Sequence, residues 1–225
     1  MDDFLAESLS KRIRIAKEPI IREEYEMILL QGLFSGKISK KLIFKGGTAL
    51  RLAYNSPRFS EDLDFSLTEE IKNKDFAEII ERTAKNIPTA KIKELTEKHY
   101  THFAVLHIKE PYLKQVFPLK IEVSKRPVDW KAGKDFVSAS IKSQIVPLEV
   151  VGFTVTMERV FKDKKRMIKE RDKARDLFDL WWLGQRLGKK VNFNLKDTEI
   201  KKASRELNQF LPEPMRLVVE AWRGK

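Results

Sequence analysis

Residues 44–67 read FKGGTALRLAYNSPRFSEDLDFSL, and the pattern inside this stretch decides the fold. Leu42, Ile43 and Phe44 form a short apolar run that stops at Gly46-Gly47, as a strand entering a tight turn does. Thr48 to Tyr54 continues with helix formers and apolar residues at Ala49, Leu50, Leu52 and Ala53. In Asp62-Leu63-Asp64-Phe65-Ser66-Leu67 polar and apolar residues alternate strictly, so the polar members share one face of a strand. Two carboxylates ~7 Å apart on one strand face are unfavourable unless a cation lies between them. The pair points to a divalent metal site.

The glycine turn has a matching role. Gly46 and Gly47 let a phosphate approach the backbone, and the helix N-terminus behind them offers free N–H groups and partial positive charge. Thr48 would add a hydroxyl donor. A third acid is sought on a later strand with the same polar-out pattern. In Lys120-Ile121-Glu122-Val123-Ser124, Glu122 shares a face with Lys120 and Ser124. If that strand lies beside the aspartate strand, Glu122 joins Asp62 and Asp64, and three acids could hold one or two Mg²⁺ ions. Otherwise Glu122 is a solvated strand residue; spacing alone leaves both readings open.

Composition narrows the partners. The net charge of +12 over 225 residues favours a polyanion, with nucleic acid the first candidate. Solubility alone is the competing explanation, because a charged fraction of 35% also suits heat-adapted proteins. Arg51 and Arg58 flank the turn and the aspartate strand as triphosphate or RNA contacts, or as solvated cations. Cysteine is absent, which excludes disulfides and thiolate metal sites. No run of ~18 apolar residues occurs, so no membrane span is expected. The acidic opening MDDFLAESLSKR argues against a signal peptide, and a cytoplasmic protein is expected. His99, His102 and His107 crowd one hairpin, but His99 and His102 alternate in facing, which disfavours zinc and leaves a surface or RNA-contact role.

Helices are expected over 2–15 and 19–35, the second opening near Pro19, and over 72–86. Strand-like runs fill 90–124 and an extended stretch covers 135–156. Helical patterns then occupy 156–170, 174–187, 196–210 and 213–223. The order predicts an α+β fold, a mixed β-sheet flanked by helices with a helical C-terminal part. The expected division is 1–150 and 151–225. Asp176 and Asp179 lie on one helical face, opposite Leu177, Leu180 and Leu183, and could be a plain surface ion-pair cluster. The Trp181-Trp182 pair reads as core packing.

GGTAL followed by RFSEDLDF resembles the AbiEii/AbiGii-type nucleotidyltransferase toxins, a branch of the polymerase-beta-like nucleotidyltransferase superfamily. Residues 156–164, TMERVFKDK, resemble that family's helix ending in an Ala-Glu-Lys-like triplet. Residues 173–180, KARDLFDL, are similar to its Arg-Asp-Leu-Tyr-Asp-Leu motif. The resemblance implies a nucleotidyltransferase-like fold in which Gly46, Gly47 and Thr48 contact a nucleoside triphosphate with Ser60 beside it. It implies that Asp62 and Asp64 bind magnesium, that Lys164 reaches the phosphates, and that Asp176 is the second-motif acid near the nucleotide or its lysine. Glu122 stands where such folds often carry an aspartate, and Lys162 competes with Lys164 within the triplet. The implied activity is Mg²⁺-dependent transfer of a nucleotide from an NTP to RNA, with the 3′ end of tRNA as acceptor. The implied setting is a type IV toxin–antitoxin or abortive-infection system with a cognate antitoxin. Two alternatives remain beside it: a non-enzymatic RNA- or nucleotide-binding module on the same fold, and transfer to protein or small-molecule hydroxyls. Magnesium-dependent nucleotide binding separates the enzyme from the passive module.

Overall fold

A computed structural model describes residues 1–170 and 173–223. Two helices open the chain, α1 (Asp3–Ile13) and α2 (Lys17–Phe34). The Asp2 carboxylate caps α1 by accepting from the Leu5 N–H at 2.7 Å. Pro19 sits in the first turn of α2, where a missing N–H leaves no intrahelical bond unmade. A single 3-10 turn (Ser39–Lys41) leads into β1 (Leu42–Lys45), α3 (Gly46–Tyr54) and β2 (Asp62–Leu67). Next come α4 (Asn73–Lys85) and the strands β3 (Ala90–Lys98), β4 (Thr101–Ile108), β5 (Phe117–Ser124), β6 (Phe136–Lys142) and β7 (Glu149–Val155). The chain closes with α5 (Met157–Glu170), α6 (Ala174–Leu187), α7 (Asp197–Leu207) and a 3-10 run (Glu213–Trp222). That last run was expected to be helical and is wound more tightly than an α-helix.

The seven strands form one sheet in the order β3-β4-β5-β2-β1-β7-β6. β1 runs antiparallel to β2 and parallel to β7, while β2 and β5 are parallel, so the sheet is mixed. The division expected at residue 150 falls inside β7, which pairs directly with β1. The helical C-terminal part therefore begins at α5.

The period-2 pattern of the strands sets what each face of the sheet meets. Leu42, Phe44, Leu63, Phe65, Leu119, Ile121 and Val123 all point into one core, which α2 closes with Ile21, Leu29 and Leu33 and α4 with Phe76, Ile79 and Ile80. The Phe44 and Phe65 rings lie 5.2 Å apart there, each fully buried and worth ~2–3 kcal/mol by burial. On the opposite face Ile43 and Val155 join Phe178, Trp182 and Leu183 of α6 and residues of α7 in a second core. Trp182 is thus core packing, as expected, and Trp181 packs against the same cluster. The C-terminal helices contribute to this second core alongside β1 and β7, while the polar faces of β2 and β5 line a cleft. The position of the site follows from that arrangement.

Candidate active site

The cleft has a volume of about 720 Å³. Its floor is the polar face of β2 and β5. In the parallel register Asp64 is the Cα partner of Glu122 and Asp62 of Lys120, while Lys45 at the end of β1 is the partner of Asp64. The acid strand and the Glu122 strand are adjacent, which meets the condition on which Glu122 joins Asp62 and Asp64 on one face. Burial pushes the Asp64 carboxyl up to about 6; the Lys45 ammonium opposes that rise, and the neighbouring Asp62 and Glu122 reinforce it. Burial in turn holds the Lys45 amine below its usual range, against the pull of Asp64, Glu122 and Asp163.

The glycine turn meets these acids directly. Gly46 has φ +84°, a left-handed value that disfavours a side chain. A Cβ there would lie 2.6 Å from Asp64 Oδ2. A Cβ on Gly47 would collide with the Arg58 guanidinium and lie 2.8 Å from Ser60 Oγ. Gly46 is therefore required by conformation and by close approach, and Gly47 by close approach alone. No side chain caps the N-terminus of α3, so its first amides, which have no partner within the helix, are free for an anion. Gly46→Ala should lose ~1–2 kcal/mol of stability through the left-handed backbone and displace Asp64. Thermal unfolding and nucleotide titration read the two effects separately, and a variant unchanged in both would contradict the close approach.

Four expected roles need correction. Thr48 is fully buried, and its hydroxyl donates to the Asp62 carbonyl at 2.6 Å. It ties α3 to the start of β2 and is not presented to a phosphate. Arg51 is also interior: its Nε bonds Glu23 Oε2 at 2.8 Å, Nη1 bonds the Ser56 carbonyl, and its guanidinium lies 3.9 Å from the Phe59 ring centroid. It faces Glu23 of α2, so it cannot contact RNA. Arg58 lines the cleft but is 2% exposed and grips Asp179 with two bonds of 2.7 and 2.8 Å. It is a structural strut under Gly47 and not a surface cation. Among the histidines, His102 is buried and bonds Asn73 through Nδ1 at 3.0 Å, against the expected surface role.

Lys164 is placed by α5 against α6, where Nζ donates to Asp176 Oδ1 and Asp179 Oδ2, both at 2.6 Å. Asp176, Asp179, Lys164 and Arg58 form one buried network at the cleft wall. The Arg58 and Lys164 cations hold the fully buried Asp179 carboxyl down at about 2, overriding the opposing effect of burial. The acid pair, for which a plain surface ion-pair cluster is one reading of the sequence, is interior because α5 and α6 pack together. Lys162, two residues earlier, is exposed and is not part of the cleft. Replacing Lys162 with Ala should change stability by less than ~0.5 kcal/mol and leave nucleotide use intact. Lys164→Ala should lose ~3 kcal/mol or more, because the buried Asp176 and Asp179 both lose its ammonium and Asp179 keeps only Arg58, and should weaken triphosphate use. Melting curves and the KM for NTP decide this; equal effects of the two changes would reverse the assignment.

Several cleft residues were not singled out from the sequence: Lys45, Arg126, Trp130, Arg159, Asp163 and Arg175. Lys45 had a signal, since it directly precedes the glycines. Trp130 had none, because it lies in the irregular connection between β5 and β6. Among the described residues no three acid or histidine side chains form a ready-made metal cage. Glu122, though in register with Asp64, is exposed, so the expected three-acid set is not closed. The desolvated Asp64, with Asp62 on the same strand face, still fits a hard oxygen-seeking cation that takes the rest of its shell from phosphate and water.

A mixed sheet thus sets an acidic strand beside a glycine turn, in a cleft walled by the helical C-terminal part. Residues 28–222 match the sequence profile described as nucleotidyl transferase AbiEii toxin, type IV TA system. The chain belongs to the AbiEii nucleotidyltransferase toxin family. Solved structures that share its fold include the following two. JHP933 from Helicobacter pylori aligns at TM-score 0.57 and 23% identity, over 85% of this chain and 76% of that one. The nucleotidyltransferase toxin MenT4 from Mycobacterium tuberculosis aligns at TM-score 0.51 and 20% identity, over 93% of this chain and 68% of that one. Comparison with curated protein sequences finds no match. Among the described residues no helix is long and apolar enough to cross a membrane.

Proposed function

We propose that the chain transfers a nucleotide from an NTP to an RNA hydroxyl, the 3′ end of tRNA being the preferred acceptor, with Mg²⁺ held by Asp62 and Asp64. The observation that carries this reading is the contact between the Gly46 turn and Asp64, which brings the amides suited to a polyphosphate against the carboxylates suited to a cation. A bound Mg²⁺ would neutralise charge on the phosphate chain and on the leaving pyrophosphate. The chain's own groups do the positioning. The α3 amides at Gly46 and Gly47, with the Ser60 hydroxyl beside them, hold the triphosphate. Lys164 spends two of its three N–H donors on Asp176 and Asp179, leaving one for a phosphate oxygen. Asp176 is then a positioning residue for that lysine. Glu122, exposed at the cleft floor beside Asp64, is available to orient or deprotonate the attacking hydroxyl.

The net charge of +12 suits docking of an RNA backbone, and the type IV setting implies a cognate antitoxin as silencing partner. The test is incubation with each labelled NTP, Mg²⁺ and total RNA, followed by gel separation. Label in a tRNA-sized band, lost on chelation of the metal, is the expected result. Label on protein alone, or transfer unaffected by chelation, would overturn the acceptor or the metal assignment.

A further inference from the structure

The cleft lining contains two chemically different sets of residues. One comprises Asp62, Asp64 and the α3 amides, groups suited to a metal-bound polyphosphate. The other is built by the connection between β5 and β6, which contributes Arg126, Pro127, Val128 and Trp130, faced by Arg159 of α5. A nucleotide is divided in the same way, into a charged tail and a flat, polarisable base. Resting on the nucleotidyltransferase reading, we propose that Trp130 is the nucleobase platform of this site and sets how tightly the base of the incoming NTP is held.

Trp130 is half-buried. Part of its ring packs against the second core, while the residue lines the cleft wall. Its position is fixed by neighbours that are themselves fixed. The Arg159 guanidinium lies over the ring, 5.0 Å from its centroid, so the base would take the part of the ring that the arginine and the core leave to the cleft. Arg159 is in turn held by a fork to Asp163, with bonds of 3.0 and 3.1 Å, and lies 3.6 Å from Asp135. Asp135 accepts from the Lys131 N–H at 2.9 Å, which fastens the loop next to the tryptophan. An aromatic ring ordered before the ligand arrives loses little entropy on binding. Stacking on such a ring favours any nucleobase over none, because every base has a π face.

The experiment is calorimetric binding to the full chain with Ca²⁺ in place of Mg²⁺, using the four NTPs and ribose 5-triphosphate, which lacks a base. Wild type is expected to bind at least one NTP about tenfold more tightly than ribose 5-triphosphate, within the range of base–aromatic stacking. Trp130→Ala should remove that advantage and leave ribose 5-triphosphate affinity unchanged, while Trp130→Phe should keep most of it. Trp130→Leu, which retains apolar packing without a π face, should behave like Ala and serves if the alanine variant does not fold. Equal binding of NTPs and ribose 5-triphosphate by wild type would overturn the inference and leave the triphosphate site standing. So would a loss of ribose 5-triphosphate affinity in the Ala and Leu variants as large as their loss for NTP, since that marks a purely structural tryptophan. Failure of wild type to bind any triphosphate would overturn the substrate reading, and this inference with it.

Discussion

Replacing Asp64 with Asn is expected to abolish nucleotidyl transfer and, at pH 8, to raise the melting temperature of the metal-free protein. The first effect follows from removing half of the proposed cation site. Charge stabilisation by a metal contributes several kcal/mol to a barrier, so a fall on the order of a thousandfold in turnover is expected. The second follows from burial. Asp64 titrates at about 6 in the fold, above its ordinary 3.8, because burial disfavours the carboxylate. A folded-state value above the unfolded one means that stability is full below about pH 4 and is lost as pH rises through 6. The loss is on the order of 1–2 kcal/mol after allowance for partial exposure. The Asn variant escapes it, so its advantage should appear at pH 8 and shrink to a minor part at pH 4.5. Metal affinity of the wild type should weaken below pH 6, by ~tenfold per unit, as the proton competes with the cation. Melting curves at the two pH values and metal titrations test this. A lower melting temperature for the variant at pH 8, or undiminished transfer, would contradict the assignment.

The second large effect is expected at Asp179. This carboxylate is fully buried, accepts two bonds from Arg58 and one from Lys164, and its removal leaves two interior cations facing each other. Truncation to Ala should destabilise the protein by ~3–5 kcal/mol, the range for breaking a buried pair. For a chain of this size that lowers the melting temperature by about 10 °C or more. Asp176→Ala should cost less, because Lys164 keeps Asp179. The folded Asp179 carboxyl, held at about 2, lies below its ordinary 3.8. Its stabilising contribution is therefore complete above pH 4 and disappears only as pH falls toward 2. Differential scanning calorimetry at pH 7 reads the loss, and an Asp179→Ala protein melting within 2 °C of wild type would show that the network is not what holds α5 and α6 together.

Much of this was legible in the sequence, because its physics is local. The strict alternation of residues 62–67 and 120–124 fixed which side chains enter the core and which face the cleft, and β2 and β5 follow it. The double glycine marked the turn because only glycine tolerates φ +84° with a carboxylate 2.6 Å from where a Cβ would sit. The order of strands and helices gave the α+β class, since each element carried its own period.

The long-range pairings were not local. The residue types of Thr48, Arg51 and Arg58 suggested ligand contacts, yet the fold uses all three internally. A hydroxyl or guanidinium serves equally well to tie distant segments, such as Arg58 to Asp179 121 residues away, and sequence cannot say which. Asp176 and Asp179 looked like a surface pair until the packing of α5 on α6 removed water from around them. Trp130 was invisible because an irregular loop has no period to read.

By itself, then, the sequence determined the alternating strands, the glycine turn and the presence of an acid pair beside it, all set by backbone geometry within a few residues. Tertiary structure alone decided that β5 pairs with β2 to bring Glu122 alongside Asp64, which lysine of α5 enters the cleft, and which arginines are struts. Those choices depend on which surfaces exclude water from one another once distant segments meet, and desolvation of that kind is not written in any one stretch of chain.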